Sequence, residues 1–107
     1  MFKIYGSKMC PDCINVKYNF DKYGIEYEFI DINESLRNLK VFLGYRDKLP
    51  VFDHCKEIGD IGLPALVKED GEVFLSWEKY LEEKGLEVVY PGENSAGEAC
   101  SIDRKGC

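Results

Sequence analysis

Two cysteines close together near the start of the chain constrain what this sequence can fold into more than any other feature does. Cys10 and Cys13 are separated by two residues and follow a short β-forming stretch, residues 2–5, that stops at Gly6. Pro11 suits the first position of a helix, where its missing N–H is not needed. The first sulfur is therefore predicted to lie at a strand-to-helix turn, where backbone N–H groups and the helix dipole stabilise its anion.

The spacing of these cysteines is typical of thiol–disulfide chemistry. A thiolate at Cys10 can attack a substrate disulfide, and Cys13 lies close enough to close an intramolecular disulfide once a mixed disulfide has formed. The same spacing also occurs in half of a zinc or iron–sulfur site. The motif alone therefore leaves two interpretations open, a redox pair with Cys10 as the attacking and Cys13 as the resolving thiol, or a pair of metal ligands.

The rest of the chain divides into short segments of alternating type. Apolar residues at helical spacing end at glycines, and β-forming runs are bounded by turn residues. The predicted helices cover residues 11–23, a stretch that Asn33 or Ser35 caps and Gly44 ends, residues 51–58 and residues 77–84. The predicted strands cover residues 2–5, 26–32, 61–68 and 72–75, and residues 69–71 form the turn of a hairpin.

This order of elements predicts one α/β domain. The first helix joins two parallel strands, the last two strands form an antiparallel hairpin, and helices are available for both faces of one sheet. The arrangement is that of the thioredoxin-like fold, with a four-stranded mixed sheet flanked by helices. We place this domain at residues 1–90. Residues 91–107 contain a single sizeable aliphatic residue, Ile102, and are predicted not to fold on their own.

Charge and cysteine count narrow the classes of function. The net charge is -6 at pH 7 and the basic residues are scattered, so we expect no nucleic-acid partner. No stretch has the roughly 18 apolar residues of a membrane span, and no apolar leader opens the chain. Five cysteines cannot all pair with one another, which indicates thiols that are kept reduced. We therefore expect a cytoplasmic protein that does not associate with membranes.

Two stretches of the sequence carry a resemblance to a known family. Residues 4–13 and residues 61–66, with the order of elements between them and on through about Glu83, resemble the glutaredoxins. More narrowly, they are similar to a group of small bacterial glutaredoxin-like proteins. The resemblance implies a thiol–disulfide oxidoreductase that reduces protein or small-molecule disulfides through a Cys10/Cys13 dithiol–disulfide cycle.

The resemblance also implies which residues border the substrate. In the family, the proline that precedes the third strand forms a cis peptide beside the active-site sulfurs, so Pro64 is expected to be cis. Leu63, directly before it, is expected to pair through its backbone with the substrate segment that carries the cysteine. We expect Lys8 and Pro11, which flank the motif's first cysteine, to border the substrate as well.

Departures from the family pattern bear on the electron donor. The chain has Ser7 where glutaredoxins usually carry a lysine, and Gly62-Leu63 where they usually carry Thr-Val. After the hairpin it has residues 74–78 where the family typically presents two glycines and an acidic residue that hold glutathione. We expect no bound cofactor or metal and weak use of glutathione. The candidate electron donors are glutathione and a flavoenzyme of the thioredoxin-reductase type.

Three cysteines lie outside the motif. Cys55 follows the sole histidine, His54, but neighbours in sequence on a helix point in different directions, so we interpret Cys55 as a small buried residue. Cys100 and Cys107 lie in the last segment, which is long enough to bring either of them to Cys10. We predict that they form a second exchangeable redox pair. The alternatives for these two are incidental cysteines and a metal site completed with the motif. A third possible function of the chain is a redox sensor that uses the motif disulfide to alter binding to a protein partner.

Overall fold

A computed structural model describes residues 1–91 of the 107-residue chain. Its strands are β1 Phe2–Gly6, β2 Tyr27–Asp31, β3 Ala65–Val67 and β4 Val73–Phe74. Its α-helices are α1 Pro11–Lys22, α2 Leu36–Lys48, α3 Asp53–Ile58 and α4 Trp77–Glu83, with a short 3₁₀ helix at Pro50–Phe52. Among residues 1–91, no helix is both long enough and apolar enough to cross a membrane.

The four strands form one mixed sheet in the order β2-β1-β3-β4. β1 runs parallel to β2 and antiparallel to β3, and β3 forms a hairpin with β4. The Lys68 N–H donates to the Glu72 carbonyl at 2.8 Å across the predicted turn, and Gly71, with a φ of 95°, closes it. This mixed sheet with one parallel and two antiparallel pairs is the predicted thioredoxin-like arrangement.

Helix α2 is longer than the sequence predicted. Its start is confirmed, because the Ser35 hydroxyl accepts a hydrogen bond from the Asn38 N–H at 3.1 Å. The predicted stop at Gly44 is wrong, since the helix continues through this residue. A glycine inside a helix costs only about 1 kcal/mol. Pro50 is the stronger signal, because it forces Leu49 into an extended conformation, with φ -94° and ψ 135°, and so ends the helix.

The third strand is shorter than the predicted stretch 61–68. Gly62 has a φ of 96°, in the left-handed region, and Pro64 has no N–H for the ladder. A Cβ on Gly62 would lie 2.8 Å from a ring carbon of Phe52, so the backbone approaches this ring more closely than a larger residue permits. The strand therefore begins only at Ala65, and the preceding residues stay outside the sheet.

Two apolar clusters cover the faces of the sheet. One cluster joins α1 and α4 to the central strands through Ile4, Val16, Phe20, Leu66, Trp77 and Leu81. The other joins α2 and the 3₁₀ helix to the sheet through Tyr5, Ile32, Phe42, Phe52, Ala65 and Val67. Cys10 and Cys13 belong to this second cluster. The motif sulfurs are therefore part of the core.

Residues 86–90 fold back over α1. Asn19, fully buried on this helix, donates to the Val89 carbonyl at 2.7 Å and accepts from the Val89 N–H at 2.9 Å. The Tyr23 hydroxyl donates to the Glu87 carbonyl at 2.5 Å. The end of the described chain is thus fixed to the helix that carries the two motif cysteines.

We predict that Asn19→Ala lowers the free energy of unfolding by about 2 kcal/mol, because it removes two hydrogen bonds and leaves the N–H and C=O of the half-buried Val89 without partners. Tyr23→Phe is the matched control, since it removes a bond to the same segment at an exposed site and should cost about 0.5–1 kcal/mol. Urea denaturation followed by circular dichroism measures both. Equal losses in the two variants would contradict a special role for Asn19.

Candidate functional site

The motif cysteines lie at the start of α1, where β1 delivers the chain to the helix. Cys10 is the N-cap residue, with φ -92° and ψ 120°, and Pro11 is the first helical residue. The Cys10 N–H donates to the Ser7 carbonyl at 3.1 Å and so closes the turn. The N–H groups of Cys13 and Ile14 donate to the Cys10 carbonyl at 3.1 and 3.2 Å and begin the helix. This geometry places the first sulfur at the positive end of the helix dipole, as predicted.

The two thiols have opposite shifts in pKa. The hydrogen bond from the Cys13 thiol lowers the pKa of Cys10, and the backbone N–H groups of Cys13 and Asp12 lower it further. Burial and the Asp12 carboxylate oppose these effects, but the net shift is downward. The same thiol–thiol bond raises the pKa of Cys13 far above that of a free thiol, and burial and the charge on Cys10 act in the same direction. Of the two thiols, Cys10 therefore loses its proton first.

Gly6 and Ser7 fix the turn that precedes the motif, and sequence reasoning missed both roles. A Cβ on Gly6 would lie 2.6 Å from the Cys13 sulfur, so no larger residue fits there without displacing the thiol. The buried Ser7 hydroxyl donates to Asn33 Oδ1 at 2.5 Å and accepts from the Met9 N–H at 3.1 Å. Its own N–H points at the Cys13 sulfur, 3.5 Å away. The residue that departs from the family pattern thus holds the motif in place.

The Leu63–Pro64 peptide bond is cis, as the resemblance implied. Leu63 is buried beside the first thiol, and it lines a cavity of about 170 Å³ that we name the Cys10 cavity. This cavity is lined by Ser7, Met9, Cys10, Ile32, Asn33, Ile61 and Leu63. Met9 and Ile61 are exposed at 77% and 44%, so apolar side chains surround the opening. A disulfide that approaches Cys10 meets a mainly apolar rim.

A second cavity, of about 220 Å³, adjoins the first through Leu63 and contains Pro64; we name it the Pro64 cavity. Its acidic lining residues are Asp12, Asp60 and Glu78. Its apolar lining residues include Val51, Ile58, Leu63 and Leu75, and His54 and the buried Cys55 complete its wall beside Gly62. Among residues 1–91, no lysine or arginine lines it. The cavity therefore offers an acidic and apolar environment next to the thiols.

The carboxylates of the Pro64 cavity come from three separate parts of the chain, so their convergence was not predictable from spacing. Asp12 is in the motif, Asp60 follows α3 and Glu78 is in the first turn of α4. The Arg46 guanidinium donates to the backbone carbonyls of Asp60 and Ile61, at 2.6 and 2.8 Å. The side-chain charges that line the cavity are thus predominantly negative.

The other residues predicted to border the substrate differ in position. Pro11 is half-buried at the start of α1, directly beside the first thiol. Leu63 lines both cavities. Lys8 is exposed and lines neither cavity. The predicted tail pair, Cys100 and Cys107, lies outside the described residues 1–91. The structure thus gathers the motif with Leu63 and Pro64, and it leaves Lys8 at the surface.

Comparison with known proteins agrees with this architecture. The sequence model of the glutaredoxin family matches residues 2–50, which include β1, the motif, α1, β2 and α2. An uncharacterized protein of Haemophilus influenzae (strain ATCC 51907 / DSM 11121 / KW20 / Rd) is 36% identical over 76 residues, which cover 71% of this chain and 88% of that protein. The chain belongs to the glutaredoxin family, whose chemistry is thiol–disulfide exchange.

Proposed function

We propose that this protein is a dithiol oxidoreductase that reduces disulfides, with Cys10 as the nucleophile and Cys13 as the resolving thiol. The observation that carries the proposal is the opposite shift in pKa of the two thiols at the start of α1. A thiolate is the reactive form in disulfide exchange, and the residue whose pKa is lowered supplies it. The Cys10 cavity gives a disulfide access to that sulfur.

The reaction proceeds in two exchanges. The Cys10 thiolate attacks one sulfur of the substrate disulfide, the substrate S–S bond breaks, and the other substrate sulfur leaves as a thiolate that takes a proton from water. Cys13 then loses its proton and attacks the Cys10 sulfur, which releases the second substrate thiol. The substrate gains two electrons, and the enzyme is left with a Cys10–Cys13 disulfide.

The raised pKa of Cys13 suits this order of events. Its causes include the hydrogen bond to Cys10 and the negative charge on Cys10. Both disappear once Cys10 is bonded to a substrate sulfur, because that sulfur no longer carries a charge. The pKa of Cys13 then falls, and Cys13 becomes a nucleophile at the stage when release of the product requires one.

Leu63 supports an extended polypeptide as one class of substrate. Within residues 1–91 its backbone N–H and C=O make no hydrogen bond, although the residue is only 7% exposed. An extended segment with a cysteine can pair with these groups while its sulfur points at Cys10. Small-molecule disulfides reach the same sulfur through the Cys10 cavity without this pairing.

Glutathione fits the site poorly as electron donor. The tripeptide is anionic, whereas Asp12, Asp60 and Glu78 line the Pro64 cavity and, in the part of the chain that the structure describes, no lysine or arginine does. Leu75 and Ser76 occupy the wall after the hairpin, where a side chain keeps a ligand backbone at a distance. A flavoenzyme of the thioredoxin-reductase type is therefore the donor that we propose.

The same cysteines could instead belong to a metal site, which is the competing function. Within residues 1–91, no group of three His, Cys, Asp or Glu side chains lies close enough together to hold a metal ion. The four-thiolate alternative would need Cys100 and Cys107, which lie outside the described part. Stoichiometric zinc in freshly purified protein, or an iron–sulfur absorption band, would contradict the redox proposal.

We predict that Cys10→Ser abolishes reduction of hydroxyethyl disulfide, because no thiolate remains at the helix start. Cys13→Ser should instead retain the first exchange and accumulate a mixed disulfide on Cys10, visible as a mass increase of one mercaptoethanol group. Cys55→Ser is the control and should keep full turnover. A mixed disulfide on Cys13 in the Cys10→Ser variant would reverse the assigned roles.

Alkylation as a function of pH tests the lowered pKa of Cys10. The rate of modification by iodoacetamide should rise with pH, and the midpoint of this rise should lie below the pKa of a free thiol, about 8.5. Asp12→Asn should move the midpoint to lower pH, because the Asp12 carboxylate opposes the thiolate. An unchanged or raised midpoint in Asp12→Asn would show that this charge does not act on Cys10.

Turnover with glutathione should be slow, because the carboxylates of the Pro64 cavity repel this anionic tripeptide. Glu78→Lys, which places a cation on the wall of the Pro64 cavity, should raise kcat/KM for glutathione several-fold. Glu83→Lys is the matched control, since it changes the net charge equally on the same helix at an exposed position outside the cavity. Equal effects of the two variants, or rapid turnover of the unmodified protein with glutathione, would exclude this account.

A further inference from the structure

The described chain ends beside the active site. Val89 is held by Asn19, and the next residue, Tyr90, donates from its hydroxyl to Glu78 Oε2 at 3.2 Å. Its ring also packs against Trp77, with ring centroids 6.0 Å apart. Glu78 lines the Pro64 cavity together with Asp12 of the motif. The chain that follows Tyr90 therefore starts at the edge of this cavity.

The sequence beyond that point carries two cysteines within reach of the motif. Cys100 is nine residues past Pro91 and Cys107 is sixteen residues past it. At about 3.3 Å per extended residue, these lengths span up to about 30 and 50 Å. The molecule measures 33 × 31 × 25 Å, and the start point already adjoins the cavity. Chain length therefore permits either cysteine to meet Cys10.

The side chains between Cys100 and Cys107 complement the lining of the Pro64 cavity. Residues 101–106 contain one apolar side chain, Ile102, one carboxylate, Asp103, and a cationic pair, Arg104 and Lys105, so the net charge of this stretch is +1. The cavity wall offers apolar side chains and, from the motif and α4, the carboxylates of Asp12 and Glu78. A cationic pair near two carboxylates is attracted, most strongly at low ionic strength.

We propose that residues 100–107 dock in the Pro64 cavity and that Cys100 and Cys107 exchange a disulfide with Cys10 and Cys13. This goes beyond the proposed function and rests on it, because it uses the same nucleophile. The motif then has an intramolecular partner at an effective concentration that a short tether sets in the millimolar range.

The exchange balances within one chain. When the motif is oxidised, the thiolate of one tail cysteine attacks Cys10, the Cys10–Cys13 bond breaks, and the Cys13 thiolate takes up the proton that the attacking thiol lost. The second tail cysteine then attacks the first, which releases Cys10 and forms a Cys100–Cys107 disulfide. Two electrons pass from the tail pair to the motif pair, and no external oxidant is consumed.

The test uses full-length Cys13→Ser treated with one equivalent of hydroxyethyl disulfide. Cys10 first takes up a mercaptoethanol group. If the segment docks, Cys100 or Cys107 displaces that group and leaves a disulfide to Cys10. Trypsin cleaves after Arg104 and Lys105, so mass spectrometry finds the two tail cysteines in different peptides. A variant that also carries Cys100→Ser and Cys107→Ser is the control, and it should retain the adduct.

The outcomes separate this proposal from the proposed function. Loss of the adduct supports docking when it leaves a Cys10–tail link, or the Cys100–Cys107 disulfide that forms once the second tail cysteine attacks the first. Persistence of the adduct to the same degree as in the control overturns docking while the nucleophile assignment stands. Absence of the adduct from the control contradicts the proposed function itself. A mixture of ¹⁵N-labelled and unlabelled protein should give links within one isotope only, and mixed-isotope links would overturn an intramolecular exchange.

Charge reversal tests whether the cavity recruits the segment. Arg104→Glu with Lys105→Glu should slow displacement of the mercaptoethanol group several-fold at low salt, measured by release of free thiol. The difference from the parent Cys13→Ser protein should shrink at high salt, because ions screen the attraction. Equal rates at low salt would contradict docking in the acidic Pro64 cavity.

Discussion

The hydrogen bond between the two motif thiols is the interaction on which the site depends. Cys10 and Cys13 are 2% and 1% exposed, and burial by itself raises the pKa of both. The hydrogen bond lowers the pKa of its acceptor, Cys10, and raises the pKa of its donor, Cys13. Burial alone would favour the protonated form of both thiols. In the proposed reaction, one buried pair thereby supplies a nucleophile and a second thiol that reacts later.

The residues around the motif hold the two cysteines in place. Gly6 leaves room for the Cys13 sulfur, and Ser7 ties the turn to Asn33 at the start of the next loop. A lysine at position 7 would have added a cation but could not make the same pair of short-range bonds, one donated and one accepted. The chain thus uses this position to hold the motif and carries no cation there.

The sequence predicted those features that depend on neighbouring residues. The motif at the start of α1, the cap at Ser35 and the hairpin turn follow from local spacing and turn chemistry, and the structure contains all three. Gly44 was misread as a helix end because Pro50 decides where α2 stops. The acidic lining of the Pro64 cavity was not predictable, since Asp60 and Glu78 are distant from the motif in sequence and only the fold brings them to the same cavity as Asp12.

The carboxylates that line the Pro64 cavity relate the charge of a bound ligand to the pKa of Cys10. Asp12 raises the pKa of Cys10, so part of the stabilisation that the thiol–thiol bond and the helix start provide is lost in the free enzyme. A cationic side chain bound beside Asp12 compensates that carboxylate and favours the thiolate. An anionic ligand has the reverse effect. Under the proposed reactions, positive charge near the cysteine of a substrate or of the tail has two effects. It attracts that segment to the cavity, and it raises the reactivity of the Cys10 thiol that the segment meets.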